Sequence, residues 1–265
     1  MRSEDGLATR PEAPVSRFSG ALLDILDRVE YRRVTPGEQF DPVYRLRYEA
    51  YRREGFVPAN GEGLIRDEFD DLPNAHSYGI YIDGALVSSL RFHLITPDYR
   101  TAPSYSVFTD VLDPLLDDGA TFIDPGRFTA DYEASLAYPA LPFLTLRIAV
   151  MASAYHSVRY CLSSVRPEHA AFYRRVFNSA RLADSRYYHG LSFPMELWAS
   201  HVPVEYPRLL RRYPFFMSTE DERQKLFAQA PEGHFETPQR ASSRLAYERA
   251  LLEEQFGGGA PVVAE

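Results

Sequence analysis

Two apolar segments on either side of Asp83-Gly84 constrain the fold of this chain more than any other feature. Residues 76–82 and 85–95 both show the alternation that is typical of strands in a half-buried sheet. An Asp-Gly pair between two such segments favours a two-residue β-hairpin, because both of its residues accept positive φ angles. We therefore expect an antiparallel sheet at the centre of the fold.

The remaining periodicity predicts a mixed α/β domain. Apolar residues at helical spacing predict helices over residues 21–29, 41–54, 106–116, 141–158 and 167–178. The strand patterns outside the hairpin cover residues 29–34, 121–132, 159–165, 181–188 and 194–201. Pro125-Gly126 interrupts the second of these strands and predicts a β-bulge there. This order suits one central, mostly antiparallel sheet with helices on both faces.

Composition divides the 265 residues into four parts. Residues 1–18 are rich in Pro, Ser, Glu and Arg and are expected to be disordered. Residues 19–202 contain the predicted sheet and form the main domain. Residues 203–256 are expected to form a C-terminal extension of two or three helices, and residues 257–265 a flexible tail.

Charge and cysteine content narrow the functional class. The formal net charge of −8 disfavours a nucleic-acid partner, since phosphate binding requires a basic surface. Cys161, the single cysteine, cannot form an intrachain disulfide, and its apolar neighbours predict a buried structural residue. The chain lacks an apolar segment long enough to span a bilayer and lacks a signal peptide, so we expect a cytoplasmic protein.

Common catalytic and cofactor motifs are missing from the sequence. There is no G-x-S-x-G elbow, no Walker loop and no H-E-x-x-H, and no two histidines have metal-ligand spacing. We therefore expect no metal site. Six arginines between residues 159 and 186 form a basic segment. This segment suits an anionic partner such as a phosphopantetheine arm or an acidic carrier protein, or else it is a solvated charged face.

Charged residues inside the predicted sheet are the most unusual pattern. Arg91 lies within an apolar strand, where an unpaired charge is costly, and it therefore requires an acidic partner. The other charged residues near it in this pattern are Arg47, Asp67, Asp70, Asp124 and Arg127. From the residues alone, the set fits either a catalytic cluster or an ion-pair network that holds the loop of residues 55–73 on the sheet.

Four segments of the chain, in order, resemble motifs of the acyl-homoserine-lactone synthases and of their relatives, the long-chain N-acyl amino acid synthases. They are VYRLRYEAYRREGF at 43–56, DEFD at 67–70, GALVSSLRF at 84–92 and DPGRFTAD at 124–131. The resemblance covers roughly residues 25–200. It implies the acetyltransferase-like (GNAT) α/β fold and an N-acyltransferase that moves an acyl group from an acyl carrier protein to an amine.

The resemblance also implies roles for individual residues. Arg47, Asp67, Asp70, Arg91 and Arg127 take the places of the family's charged cluster, and Asp124 that of a glutamate proposed as the general base. The implied substrate contacts are Tyr51, Phe56, Phe69, Gly126 and Phe128. Backbone N–H groups freed by the bulge, near residues 126–128, are expected to bind the oxyanion. The thioester supplies the driving force, so no cofactor is required.

Departures from the family pattern bear on the substrates. Phe56 stands where the homoserine-lactone synthases carry Trp, Asp124 where they carry Glu, and Gly126 where they carry Ser. These differences favour an amino acid over S-adenosylmethionine as the acceptor. Residues 134–143 lack the glycines with which ordinary acetyltransferases bind pyrophosphate, which favours a carrier-protein arm over acyl-CoA as the donor.

We therefore expect an N-acyl amino acid synthase that uses long-chain acyl carrier protein. It should contain a wide apolar channel for the acyl chain, and its product should associate with membranes. Three alternatives remain open: an acyl-homoserine-lactone synthase that uses S-adenosylmethionine, a catalytically silent binding module of the same fold, and a CoA-dependent acetyltransferase.

Overall fold

The hairpin predicted around Asp83-Gly84 is present in the computed structural model, which describes residues 16–35, 41–188, 193–229 and 237–256. Asp83 and Gly84 have φ angles of 50° and 80°, as a type I′ turn requires. The strands are β1 Val29–Arg33, β2 Ala75–Ile82, β3 Ala85–Ile95, β4 Phe122–Ala130, β5 Tyr160–Val165, β6 Ala180–Tyr187, β7 Pro194–His201 and β8 Gln239–Arg240.

These strands form one sheet in the order β6-β7-β5-β4-β3-β2-β1-β8. Each described pair of neighbours is antiparallel except β4 and β5, which are parallel. The mixed, mostly antiparallel α/β sheet predicted from the sequence is confirmed. The short strand β8 was not predicted; it adds to the edge beside β1, where Glu30 pairs with Arg240.

The helices are α1 Arg17–Leu26, α2 Pro42–Arg53, α3 Pro103–Asp117, α4 Tyr132–Ala137, α5 Leu141–Tyr155, α6 Ala170–Phe177, α7 Val202–Arg212, α8 Glu220–Phe227 and α9 Ser243–Phe256. Helix α1 begins four residues before the predicted start, because the Ser16 side chain caps it by accepting a 3.1 Å hydrogen bond from the Ser19 N–H. Arg17 and Phe18 are therefore helical, not disordered; residues 1–15 and the predicted tail, 257–265, lie outside the described residues. Helix α4 was not predicted.

Helices cover both faces of the sheet. Helix α5 packs on β3 and β4 from one side and shares a buried cluster with α1 and α8. Helix α3 packs on the other side, where Phe108, Leu112 and Leu116 contact Ile95 and Phe122. Helix α2 lies on this second side as well, against β3 and β4. Successive strand residues therefore face different cores, which is the physical reason for the alternation in the sequence.

A buried ion pair joins the C-terminal helices to α5. Arg147 of α5 is fully buried and donates hydrogen bonds of 2.6 and 2.8 Å to the two carboxylate oxygens of Glu222 in α8. Glu222 also accepts a 2.5 Å bond from the Ser242 hydroxyl. Phe215 and Phe216, which precede α8, are fully buried in the same core as α5. The three described helices from Val202 onward, α7, α8 and α9, therefore pack on the same core as the central sheet.

The sheet opens between β4 and β5. These strands pair only at Phe122↔Tyr160 and Ile123↔Cys161, and from Asp124 onward they separate. Strand β4 also bulges, since the register leaves Arg127 and Phe128 opposite Leu90 alone. Arg127 has a φ angle of 50°, which marks the bulge. It lies one residue beyond the predicted position at Pro125-Gly126, and it turns β4 away from the ladder where the sheet opens.

Candidate active site

A cavity of about 1080 Å³ occupies the opening between β4 and β5. One half is polar and lies on the α2 and α3 side of the sheet, with Asp67, Arg91, Ser104, Asp124 and Arg127 in its wall. The other half lies on the α5 side and is mainly apolar; its wall includes Leu146, Val150, Phe172, Phe177 and Leu209. The cavity therefore brings charged groups and a mainly apolar space together at one break in the sheet.

The five residues of the predicted charged cluster form one network. Arg91 Nη1 donates to Asp67 Oδ1 at 2.6 Å, and Arg127 Nε donates to Asp67 Oδ2 at 3.0 Å. Arg47 Nη1 donates to Asp70 Oδ1 at 2.7 Å, and Arg91 Nη1 lies 2.9 Å from the same oxygen. Arg91 therefore links two acid–arginine pairs. The acidic partners that its position in an apolar strand requires are supplied by the loop of residues 55–73.

The segment DEFD presents both acids by folding on itself. Glu68–Asp70 is a short 3₁₀ turn in which the Asp67 side chain accepts from the Phe69 N–H and the Asp70 side chain accepts from the Asp67 N–H, each at 3.0 Å. Burial alone would raise the pKa of Asp67, but Arg91 and Arg127 outweigh it and hold the pKa below its usual value. Arg47 and Arg91 do the same for Asp70. Both acids are thus ionised and paired, and neither is poised to take a proton.

Two of the predicted catalytic residues do not reach the cavity. The side chains of Arg47 and Asp70 are both fully buried behind it, where Arg47 Nη2 also donates to the Ser77 hydroxyl at 3.0 Å. These residues position Arg91 and the loop, because a buried pair fixes the chain segments that supply its two charges. The other nine predicted site residues line the cavity: Tyr51, Phe56, Asp67, Phe69, Arg91, Asp124, Gly126, Arg127 and Phe128.

Asp124 differs from Asp67 and Asp70 because no arginine pairs with it among the described residues. Its side chain is buried in the cavity wall at the first turn of α3. Ser104 donates to it twice, from the hydroxyl to Oδ1 at 2.5 Å and from the backbone N–H to Oδ2 at 3.1 Å. Burial raises the pKa of Asp124 to about 6, although the Ser104 hydrogen bonds oppose this shift. Asp124 is therefore a buried carboxylate in the cavity wall that is suited to exchange a proton near neutral pH.

A chain of hydroxyl groups leads away from Asp124. The Ser104 and Ser164 hydroxyls lie 2.7 Å apart, and the Tyr188 hydroxyl donates to Ser164 at 2.6 Å. All three residues line the cavity, and burial raises the pKa of Tyr188. None of the three was predicted from the sequence. Pro103, a residue favoured at the first position of a helix, was the signal that would have placed Ser104 at a helix N-terminus.

Aromatic rings surround the polar half. The Arg127 guanidinium lies 5.5 Å from the centre of the Tyr51 ring, and Tyr51 contacts Phe56 with ring centres 6.1 Å apart. Phe69 accepts a 2.9 Å hydrogen bond at its carbonyl from His93 Nε2, and burial lowers the pKa of His93 to about 4. His93 is thus a neutral donor that holds the loop, and not a base.

Cys161 lies where the sheet begins to open. It was predicted to be a buried structural residue, but it is half-buried and lines the cavity. Burial raises the pKa of the thiol to about 12, so it is neutral and is not a nucleophile. Among the described residues, no group of three His, Cys, Asp or Glu side chains could hold a metal ion. Within the same part of the chain, none of the helices has both the length and the apolar character needed to cross a bilayer.

The sequence matches a family model over the segment that builds this site. The model describes N-acyl amino acid synthase FeeM, and it matches residues 42–201, which include α2, the opened strands and the bulge. The chain belongs to the FeeM family of N-acyl amino acid synthases. It is accordingly an N-acyltransferase, as the four motifs of the sequence predict.

Solved structures share the fold. FeeM, an N-acyl amino acid synthase from uncultured soil microbes, is 17% identical with a TM-score of 0.56, over 70% of this chain and 97% of that one. BjaI, a CoA-dependent acyl-homoserine lactone synthase solved with MTA, is 11% identical with a TM-score of 0.51, over 69% and 89%. TofI, solved with an inhibitor and MTA, is 17% identical with a TM-score of 0.51, over 71% and 100%. No curated protein sequence matches this chain.

Proposed function

We propose that this N-acyltransferase moves a long-chain acyl group from the thioester of an acyl carrier protein to the amino group of an amino acid. The observation that carries the proposal is the position of Asp124 on the wall of a cavity that continues into a mainly apolar space. A carboxylate with a pKa of about 6 accepts a proton at neutral pH, and the apolar half shields a hydrocarbon chain from water.

The chemical step needs one base and one oxyanion site. The amine nitrogen attacks the thioester carbonyl carbon, and Asp124 takes the proton that the nitrogen loses, directly or through a water molecule. The oxygen of the tetrahedral intermediate accepts hydrogen bonds from backbone N–H groups that the bulge at Arg127 and Phe128 releases from the ladder. The C–S bond then breaks, the amide forms, and the thiolate leaves and takes up a proton. No cofactor takes part.

The charged network forms the binding site for the amino acid acceptor. Arg91 and Arg127 lie in the cavity wall with Asp67 between them, and the side chains of Asp67 and Arg127 are partly exposed. An amino acid has a carboxylate that an arginine binds and an amine that must face Asp124. This network therefore orients the acceptor by its carboxylate and leaves the amine free to react.

A basic patch supports an acyl carrier protein as the donor. Four of the six arginines predicted as a basic segment pair with nearby acids, as Arg159 does with Asp118. Arg174 and Arg175, at the end of α6, are exposed and have no acidic partner among the described residues. Arg212 of α7 donates to the Arg175 carbonyl at 3.2 Å, and this contact brings Arg211 and Arg212 beside them. We call Arg174, Arg175, Arg211 and Arg212 the basic patch; it suits an acidic carrier protein.

The test is turnover by the purified full-length protein. Hexadecanoyl carrier protein and hexadecanoyl-CoA are supplied separately, each with a mixture of the amino acids, and products are identified by mass spectrometry. N-acyl amino acids formed faster from the carrier protein support the proposal. Faster turnover of the CoA thioester would reassign the donor.

S-adenosylmethionine provides a second acceptor in the same assay. Release of methylthioadenosine with an acyl-homoserine lactone would identify a homoserine-lactone synthase instead. Absence of any acylated product from folded protein, with both donors and all acceptors, would contradict the proposed substrates.

A further inference from the structure

Helix α7 presents one face to the apolar half of the cavity. Val202, Tyr206 and Leu209 lie at helical spacing of four and three residues, and all three line the cavity. Leu209 is buried, whereas Val204 on the other side of the helix is 44% exposed. The face spans about 10 Å of helix, since each residue advances about 1.5 Å along the axis.

This helix lies outside the segment that matches the family. The match ends at His201, and α7 begins at the next residue. The charged cluster, Asp124 and the bulge all belong to the matched segment, so the chemistry is shared with the family. The α7 wall of the cavity is instead supplied by residues that follow the match.

The start of α7 lies where the cavity is closed. Strands β4 and β5 still pair at Ile123↔Cys161, and Cys161 in turn pairs with Ser200 of β7. The Val202 N–H donates to the Arg159 carbonyl at 3.0 Å, just before β5 begins. Val202 therefore lies at the closed end of the opening, on the α5 side of the sheet, whereas Asp124 faces Ser104 of α3 on the other side.

Several contacts fix the position of α7. The basic-patch contact between Arg212 and the Arg175 carbonyl ties its C-terminus to α6. Phe215 and Phe216, which follow the helix after Tyr213 and Pro214, are fully buried in the main core. Glu205, which also lines the cavity, pairs with the exposed Arg208 at 3.2 Å and marks the solvent side of the face. A wall held in this way has a fixed position and not the freedom of a lid.

We infer that the α7 face of Val202, Tyr206 and Leu209 is the end wall for the acyl chain and sets the longest chain that the enzyme accepts. This inference rests on the proposed long-chain donor. Each methylene that the wall excludes from the apolar space loses about fourfold in affinity. A larger side chain at Val202 therefore shortens the preferred chain, and a smaller one at Tyr206 lengthens it.

The experiment compares Val202→Phe with Val204→Phe, the same replacement two residues away on the exposed side of the same helix. Binding of octanoate, dodecanoate and hexadecanoate to the purified full-length proteins is measured by displacement of a fluorescent fatty acid. We expect Val202→Phe to lower the affinity for hexadecanoate by about tenfold or more and to leave the affinity for octanoate unchanged. Val204→Phe should leave all three affinities unchanged, and Tyr206→Ala should favour chains longer than those of the wild type.

The outcomes separate this inference from the proposed function. Equal affinity profiles for Val202→Phe and Val204→Phe, or a loss at Val202→Phe that is the same for every chain length, would overturn the end-wall assignment. Tyr206→Ala provides a second test that does not depend on the folding of Val202→Phe. If the longest chain that Tyr206→Ala binds is the same as for the wild type, the end-wall assignment is also overturned. If the wild-type protein binds no fatty acid, the proposal of a long-chain donor is wrong, and the end-wall assignment, which rests on it, is wrong as well.

Discussion

The Ser104 hydroxyl donates a 2.5 Å hydrogen bond to Asp124 Oδ1. The N–H of the same serine binds the other carboxylate oxygen, so one residue at the start of α3 orients the whole carboxyl group. This arrangement keeps a buried acid ionisable without an arginine partner. Its consequences for catalysis can be measured directly.

Asp124→Asn should lower kcat by about 10²–10⁴-fold, the range for loss of a general base. The amide has the same shape but cannot accept the amine proton. Steady-state turnover with saturating donor measures the effect, and circular dichroism checks the fold. Asp71→Asn is the matched control, since Asp71 is exposed and, within the part of the chain that the structure describes, forms an ion pair with Arg66 alone. Wild-type turnover by Asp124→Asn would contradict the assignment of the base.

The acidic limb of the pH profile reports the same carboxylate. The unprotonated form is the active one, so kcat/KM should rise with pH through an apparent pKa near 6. Ser104→Ala removes a hydrogen bond that favours the charged form, and the limb should move to higher pH by about one unit. A limb that does not move in Ser104→Ala would show that another group controls the profile.

The basic patch should affect the carrier protein and not the chemistry. Arg174→Glu with Arg175→Glu should raise KM for acyl carrier protein by about tenfold or more at low salt, because like charges then face each other. Turnover of a small pantetheine thioester should be unchanged. The control, Arg45→Glu with Arg249→Glu, makes the same change in net charge at exposed positions of α2 and α9. An equal rise in KM in both variants would point to net charge alone.

Asp70→Asn should destabilise the fold more than it alters the chemistry. It leaves the Arg47 charge buried and uncompensated, at a cost of about 3–5 kcal/mol in the free energy of unfolding. Urea denaturation measures this loss. Asp83→Asn makes the same replacement in the exposed pair with Arg28, and its denaturation midpoint should stay near that of the wild type. A small effect at Asp70 would mean that water reaches the pair.

His76 should make the protein sensitive to acid. Burial lowers its pKa to about 3, so below the ordinary value near 6.5 the unfolded chain binds a proton that the folded chain does not. Its stabilising contribution is therefore complete above pH 6.5 and falls by about 2 kcal/mol between pH 6.5 and 5, at about 1.4 kcal/mol per pH unit. In His76→Gln the difference in unfolding free energy between these pH values should be smaller by that amount. An unchanged difference would exclude His76 as the cause.

Local patterns in the sequence were sufficient for much of the fold. The hairpin at Asp83-Gly84 and the bounds of β3 and β7 follow from alternation and turn chemistry, which act between residues close in the chain. Arg91 was predicted to have an acidic partner because a charge within an apolar strand has few stable alternatives. Of the eleven site residues that the motifs predicted, nine line the cavity.

Other features depend on contacts between distant parts of the chain. Arg147 meets Glu222 75 positions later, and Asp124 of β4 accepts hydrogen bonds from Ser104 of α3; no local pattern records these pairings. Arg47 and Asp70 carry the same motif signal as Arg91, yet packing places them behind the cavity. The sequence of α7 did not predict a cavity wall either, because a buried helical face has the same spacing of apolar residues whether it contacts a solid core or a cavity. Helical spacing reveals that a face is covered, and tertiary packing alone determines what covers it.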